Sequence, residues 1–220
     1  MFRIIAIERE YGCGGGVIAQ KLADTLGWKI WDHLLTEEIA RLANVDRSAV
    51  ERRGERLDSR FYRLAKVFWR GSYERSIPLD DDKFFDADCL VSMMERIAAK
   101  IAGQGNAVVI GRGAPYFLQD REDTFRVFLY APRDEKLRRL MAAGQMLEDA
   151  EEMVDTIDSE RVAFCRHYFA SDWPRRSLYH TMINTNIGDE RVITVILDTM
   201  GLLDASMTGK SRTFRGVRQV

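Results

Sequence analysis

"EREYGCGGGVIAQKLADTLGW", residues 8–28, crowds four of its glycines between an apolar run on the N-terminal side and a helix-patterned run on the other. Ile18, Leu22 and Leu26 recur every four residues and mark one face of that helix. Backbone N–H groups at a helix start, with the positive end of the helix dipole behind them, attract anions. Glycines there let the chain take positive φ and let a phosphate come close to the backbone. The stretch 12–19 therefore reads as a phosphate loop by position. A tight strand-to-helix turn without a ligand would use the same glycines, and they alone do not separate the two.

The Walker form G-x-x-x-x-G-K-[ST] places a lysine at the outer phosphates and a hydroxyl at magnesium. Aligned backwards from Leu26-Gly27-Trp28, Gly15 stands at the lysine position and Gly16 at the hydroxyl position. If the missing cation is the defect, Gly15→Lys is expected to tighten ATP binding. A dinucleotide-binding turn fits less well. Gly12-Cys13-Gly14 supplies a G-x-G, and Asp32 follows at about the right distance, but Val17 stands where a third glycine or alanine is needed.

Five short apolar runs read as buried strands: 2–7, 28–31, 107–111, 125–131 and 181–185. Helical patterns alternate with them, among them Leu90, Met94, Ile97 and Ile101 before the third, and Val192, Val195, Ile196 and Met200 after the fifth. Such alternation predicts an α/β sandwich around a mostly parallel sheet. Two connections exceed a simple crossover. Some seventy-five residues separate Trp31 from Ala107, and about fifty separate Ala131 from Thr181; both carry helical patterning. The expected organisation is one domain over 1–207, with a helical insert at about 36–103 and a second helical segment at about 145–173. The basic tail 208–220 is expected to be frayed or ordered by a partner.

With 33 Lys plus Arg against 34 Asp plus Glu, the net charge is −1, so no global charge draws the chain to nucleic acid or anionic lipid. Three scattered cysteines make neither a disulfide framework nor a zinc site, which fits a reducing cytoplasm. No signal peptide or membrane span is expected, and the partner is expected to be small.

Together "EREYGCGG", "IAQKLADTLGW", "WDHLL", "AVVIGRGAPYFL", "VFLYAPRDEKLRRLM", "VDTIDSERVAFCRHYFASDW" and "MINTN" resemble the cytidylate kinase-like branch of the P-loop nucleoside monophosphate kinases. The resemblance implies a P-loop three-layer sandwich on a five-stranded parallel core, with the 36–103 insert binding a nucleoside monophosphate and the 145–173 helix acting as a lid. It implies ATP with Mg2+, and an acceptor such as CMP. That branch commonly lacks the Walker lysine and carries an arginine after the paired glycines. Here that position is Gly16, so the loop departs twice, and both losses fall on the phosphates.

Phosphoryl transfer needs positive charge held still around the moving group. The resemblance places Arg112 at the acceptor phosphate and Arg161 and Arg166 in the lid over the phosphates, with Arg139 a lesser candidate. Gly12, Cys13, Gly14, Gly15, Gly16 and Val17 would offer backbone donors. Asp32 would orient the acceptor or a magnesium-bound water, and Asn184 and Thr185 would border the donor base. Ordinary alternatives stand beside these roles: a surface arginine past a strand for Arg112, an i,i+3 pair with Asp158 for Arg161, and a polar turn for Asn184 and Thr185. A catalytically silent nucleotide- or phosphate-binding protein with a regulatory or partner-binding role is the alternative function, and the double loss at 15 and 16 favours it.

His33, His167 and His180 share no element with metal-ligand spacing, so no protein-held metal is expected. Cys13 lies near a helix start, where a thiol pKa falls, yet it reads as a small loop residue. The aromatics of 60–69 pack the insert or could make a homodimer face. The acidic run 79–88 reads as a solvated loop.

Overall fold

The structure, a computed structural model, describes residues 1–32 and 87–202. Most of the expected helical insert, the aromatic run 60–69, the acidic stretch 79–86, His33 and the basic tail lie outside the described residues.

Five parallel strands form one sheet in the order β2-β3-β1-β4-β5. They are β1 (Ile4–Arg9), β2 (Lys29–Trp31), β3 (Ala107–Ile110), β4 (Thr124–Tyr130) and β5 (Thr181–Asn184). All five expected strands are present, each within two residues of its expected ends. The largest difference is at β1, which runs on through Glu8 and Arg9 opposite Phe128 and Leu129 of β4. All six of its residues are buried.

Alternate residues of the strands face opposite layers, as the two-residue period of a strand dictates. On one side Ile4, Ala6, Val109 and Phe128 pack with Met93, Met94, Ile97 and Ile101 of α2 (Ala87–Gln104). On the other, Ile5, Ile7, Val108, Ile110 and Val127 meet two helices. These are α1 (Gly15–Leu26), through Ile18 and Leu22, and α6 (Asp189–Thr199), through Val192, Ile193 and Ile196. Val195, expected on that apolar face, is 39% exposed, and Ile193 takes its place.

The remaining helices stand over the carboxyl ends of the strands. α3 (Ala114–Phe117) follows β3, while α4 (Arg133–Ala142) and α5 (Leu147–Phe169) connect β4 to β5. Leu140 of α4 forms a small apolar cluster with Tyr11 and with Ala150, Val154 and Ile157 of α5. The far end of α5 is fixed by rings. Phe169 stacks on Tyr116 at 4.3 Å and meets Phe117 edge-on at 5.2 Å. β1 lies between β3 and β4; the chain leaves it toward β2 on one side and later returns past it to β4 and β5 on the other, so its carboxyl end is the sheet's switch point, where α/β proteins bind ligands.

Candidate active site

The glycine turn sits at that switch point. Gly12 and Gly14 take φ of 73° and 81°, a left-handed conformation that a side chain disfavours. Gly14 caps α1, and the first bond inside the helix runs from Ile18 N–H to Gly14 O at 3.2 Å. The amides before residue 18 therefore have no partner within the helix. A cavity of about 530 Å³ opens over them, lined by residues 9–17, Arg138, Arg139, Leu140, Ala143, Arg161 and Asp189.

Cations reach this cavity from three other elements. From α4, Arg139 donates to Cys13 O at 2.7 Å and to Thr185 O at 3.1 Å, with Nε on Glu135 at 2.7 Å. Its guanidinium covers Gly14 so closely that a Cβ there would overlap Nη1. From α5, Arg161 donates to Arg9 O at 2.7 Å and to Asp158 Oδ1 at 3.0 Å. Arg9 arrives from β1 itself. Lys136 of α4 is 7% exposed, and it lies 2.7 Å from Glu10 and 3.2 Å from Asp158. Burial works against its charge, but the hydrogen bond to Glu10 and the field of Asp158 carry the ammonium pKa above its usual value. Asp158 also accepts Tyr11 N–H at 2.9 Å, so one carboxylate ties α5 to α4 and to the phosphate turn.

Beside the turn, Asp32 after β2 and Arg112 after β3 are both buried. Burial pushes the Arg112 guanidinium down to about 10; Asp32 opposes that fall and Arg9 adds to it. Arg112 holds a left-handed backbone, φ 57°, an uncommon conformation for a side-chain-bearing residue. These groups stand together at the ends of adjacent strands.

Gly12, Cys13, Gly14, Gly15, Gly16, Val17 and Arg161 thus line one cavity, with Arg112 and Asp32 electrostatically linked to its Arg9. Three expected residues are placed differently. Arg166 is exposed on α5 and does not line the cavity; five residues beyond Arg161 it lies about 140° around the helix. Asn184 spends its side-chain oxygen on Asn186 N–H at 3.0 Å, the role of a polar turn residue. Thr185 is fully buried and donates its hydroxyl to Cys13 O at 2.7 Å, bracing the glycine turn from the residue just after β5. Sequence reading missed Arg9 and Lys136, named Asp158 only as the i,i+3 partner of Arg161, a pair the structure contains, and underrated Arg139; for Lys136 and Arg139 the signal available was the density of charge in "PRDEKLRRL".

Cys13 does not follow the expectation for a helix start. Burial pushes its thiol up to about 11, against a backbone hydrogen bond from Gly15 that acts the other way. The thiol faces Leu129 O at 3.6 Å. Iodoacetamide at pH 8 is expected to modify Cys13 at least about a hundredfold more slowly in the native protein than in urea, since a free thiol titrates near 8.5. Peptide mass spectrometry over time checks this; equal rates would refute the buried, protonated thiol.

The sheet order, the glycine turn after the first strand and the cations gathered over it define a P-loop fold of the kinase type. No helix among the described residues is long and apolar enough to cross a membrane. The chain belongs to the cytidylate kinase-like family, whose model matches residues 4–187. It is similar in structure to an uncharacterized protein from Eubacterium ventriosum, with a TM-score of 0.64 and 20% identity over 91% of this chain and 99% of that one. A shikimate kinase from Acinetobacter baumannii, in complex with shikimate, aligns at a TM-score of 0.48 and 16% identity over 91% and 93% of the two chains. A gluconokinase from Sinorhizobium meliloti aligns at 0.48 and 14% over 94% and 96%. No curated protein matches the chain.

Proposed function

We propose that the protein is an ATP-dependent nucleoside monophosphate kinase whose acceptor is a pyrimidine monophosphate of the cytidylate kind. The observation that supports it best is the convergence on one 530 Å³ cavity of the glycine turn with cations from β1, α4 and α5. That size suits a small ligand, and the lining suits a polyphosphate. In this reading the amides of residues 12–17 hold the donor's phosphates. Arg112 and Asp32 hold and orient the acceptor, and Arg161 faces the transferring group. An acceptor phosphate oxygen attacks the γ-phosphorus while the bond to the β–γ bridging oxygen breaks, and ADP departs with that electron pair. The pyrimidine preference rests on the family alone.

Mg2+ would arrive as part of the MgATP substrate. The chain does not offer the ion the usual loop ligand, because Gly16 has no hydroxyl and the hydroxyl of Thr185 is committed to Cys13 O. Among the described residues no group of three or more His, Cys, Asp or Glu could hold a metal. The double loss at 15 and 16, lysine and hydroxyl both replaced by glycine, favours a second reading, a catalytically silent nucleotide- or phosphate-binding protein.

Incubation of the purified protein with ATP, Mg2+ and each nucleoside monophosphate, followed for diphosphate formation and by calorimetry, tests both. Turnover with CMP or UMP is the expected result. Binding without turnover would replace the first reading with the second, and binding of neither nucleotide would remove both.

A further inference from the structure

The space in which a loop lysine would begin is filled from the strand. A Cβ added to Gly15 would stand 3.0 Å from Cγ and 3.1 Å from Cβ of Arg9, so the stem of Arg9 lies against the first turn of α1. Its head continues to Gly111 at the end of β3, where a Cβ would overlap Nη1. These two glycines flank the Arg9 side chain.

The residue is 7% exposed, yet it lines the cavity. Burial lowers the guanidinium pKa and the nearby Arg161 lowers it further, while Glu8, with Oε1 at 3.5 Å from Nη1, and Asp32 oppose the fall. Arg9, Arg112 and Arg161 thus share this corner with Glu8 and Asp32. Glu8 pairs with Arg9, Asp32 acts on both Arg9 and Arg112, and Asp158 pairs with Arg161 at 3.0 Å. A buried charge cluster of this kind is costly to assemble, and an anion placed among the guanidinium groups would relieve their repulsion.

We propose that Arg9 is the cation that replaces the absent loop lysine, contacting the outer phosphates of a nucleoside triphosphate from the strand side. The inference rests on the kinase reading above and adds a specific residue to it. Positions 9 and 15 then crowd each other: a side chain at the helix start requires the Arg9 stem to give way by a few tenths of an ångström. The expectation that Gly15→Lys tightens ATP binding is therefore reversed in sign, because the new Cβ must push aside the near, stiff part of the Arg9 side chain.

The test is a cycle of Arg9→Gly, Gly15→Lys and the double variant. Calorimetry with MgATP and with inorganic tripolyphosphate reads binding, and circular dichroism melting confirms folding. Each single variant is expected to weaken both ligands at least about tenfold, as loss of a charge-assisted contact does. The double variant is expected to return to within about threefold of wild type. Additive losses in the double variant, or either single variant within twofold of wild type, would overturn the inference while leaving the kinase reading intact. Should Arg9→Gly not fold, Gly15→Lys and a folded double variant decide, and tighter binding by Gly15→Lys alone would overturn the proposal. A wild type that binds neither ligand would overturn the kinase reading and this inference with it.

Discussion

Alanine at Arg161 is expected to slow phosphoryl transfer by about two to three orders of magnitude, with ATP affinity changed by no more than about threefold. The side chain is held at two points, on Arg9 O at 2.7 Å and on Asp158 Oδ1 at 3.0 Å, with Trp173 beneath its guanidinium at 5.9 Å. In the kinase reading that fixation holds a guanidinium on the cavity wall at little cost in motion, which is how preorganised donors lower a barrier. The fold should survive the change. Asp158 keeps Lys136 and the Tyr11 amide, and the apolar contacts of Val154 and Ile157 are untouched. Steady-state kcat with calorimetric ATP affinity separates the outcomes: an unchanged kcat would remove Arg161 from the transferring group, and an equal loss in affinity would make it a ground-state phosphate contact.

Gly14→Ala should destabilise the protein by about 2–4 kcal/mol. Two causes add. The residue has φ 81°, which costs a side-chain-bearing residue roughly 1–2 kcal/mol. Its new methyl would also displace the Arg139 guanidinium from Cys13 O and Thr185 O, and each lost charge-assisted bond is worth about 1.5–3 kcal/mol before relaxation. Even the summed lower limits reach the top of the expected range, and the expected value is set below the sum because a flexible arginine can recover part of its bonding nearby. Urea unfolding reads the loss as a lower midpoint. A midpoint unchanged within error would mean that Arg139 only rests on the turn and does not brace it.

The strands were legible because a parallel sheet covered on both faces needs nearly continuous apolar runs, and 2–7, 107–111 and 125–131 supply them with only Arg3 and Arg126 intervening. Arg9 was not legible for the same reason. Glu8 and Arg9 break the apolar run, so the pattern ends β1 at Ile7, whereas the chain buries both charges by setting them beside each other and beside Arg161 and Asp32. The glycine turn announced itself locally through its spacing. Its cations did not, since Arg139 lies 126 residues from Cys13 and Arg161 lies 152 from Arg9, separations over which no periodicity carries information. Helix phase explains the loss of Arg166: its spacing from Arg161 is a matter of rotation about α5, and a linear reading treats both as one basic cluster.

The stem of Arg9 packed against Gly15 has a consequence for how such turns diverge. A lineage with an arginine at the strand end reaches a lysine-bearing turn only through an intermediate that either has two side chains competing for one space or has no cation at all. If Arg9 is the phosphate cation, both intermediates are expected to be impaired and neither single change would spread on its own. The two loop types would then be separated by a fitness valley, and across descendants of a common ancestor large residues at 9 and 15 are expected not to occur in the same chain.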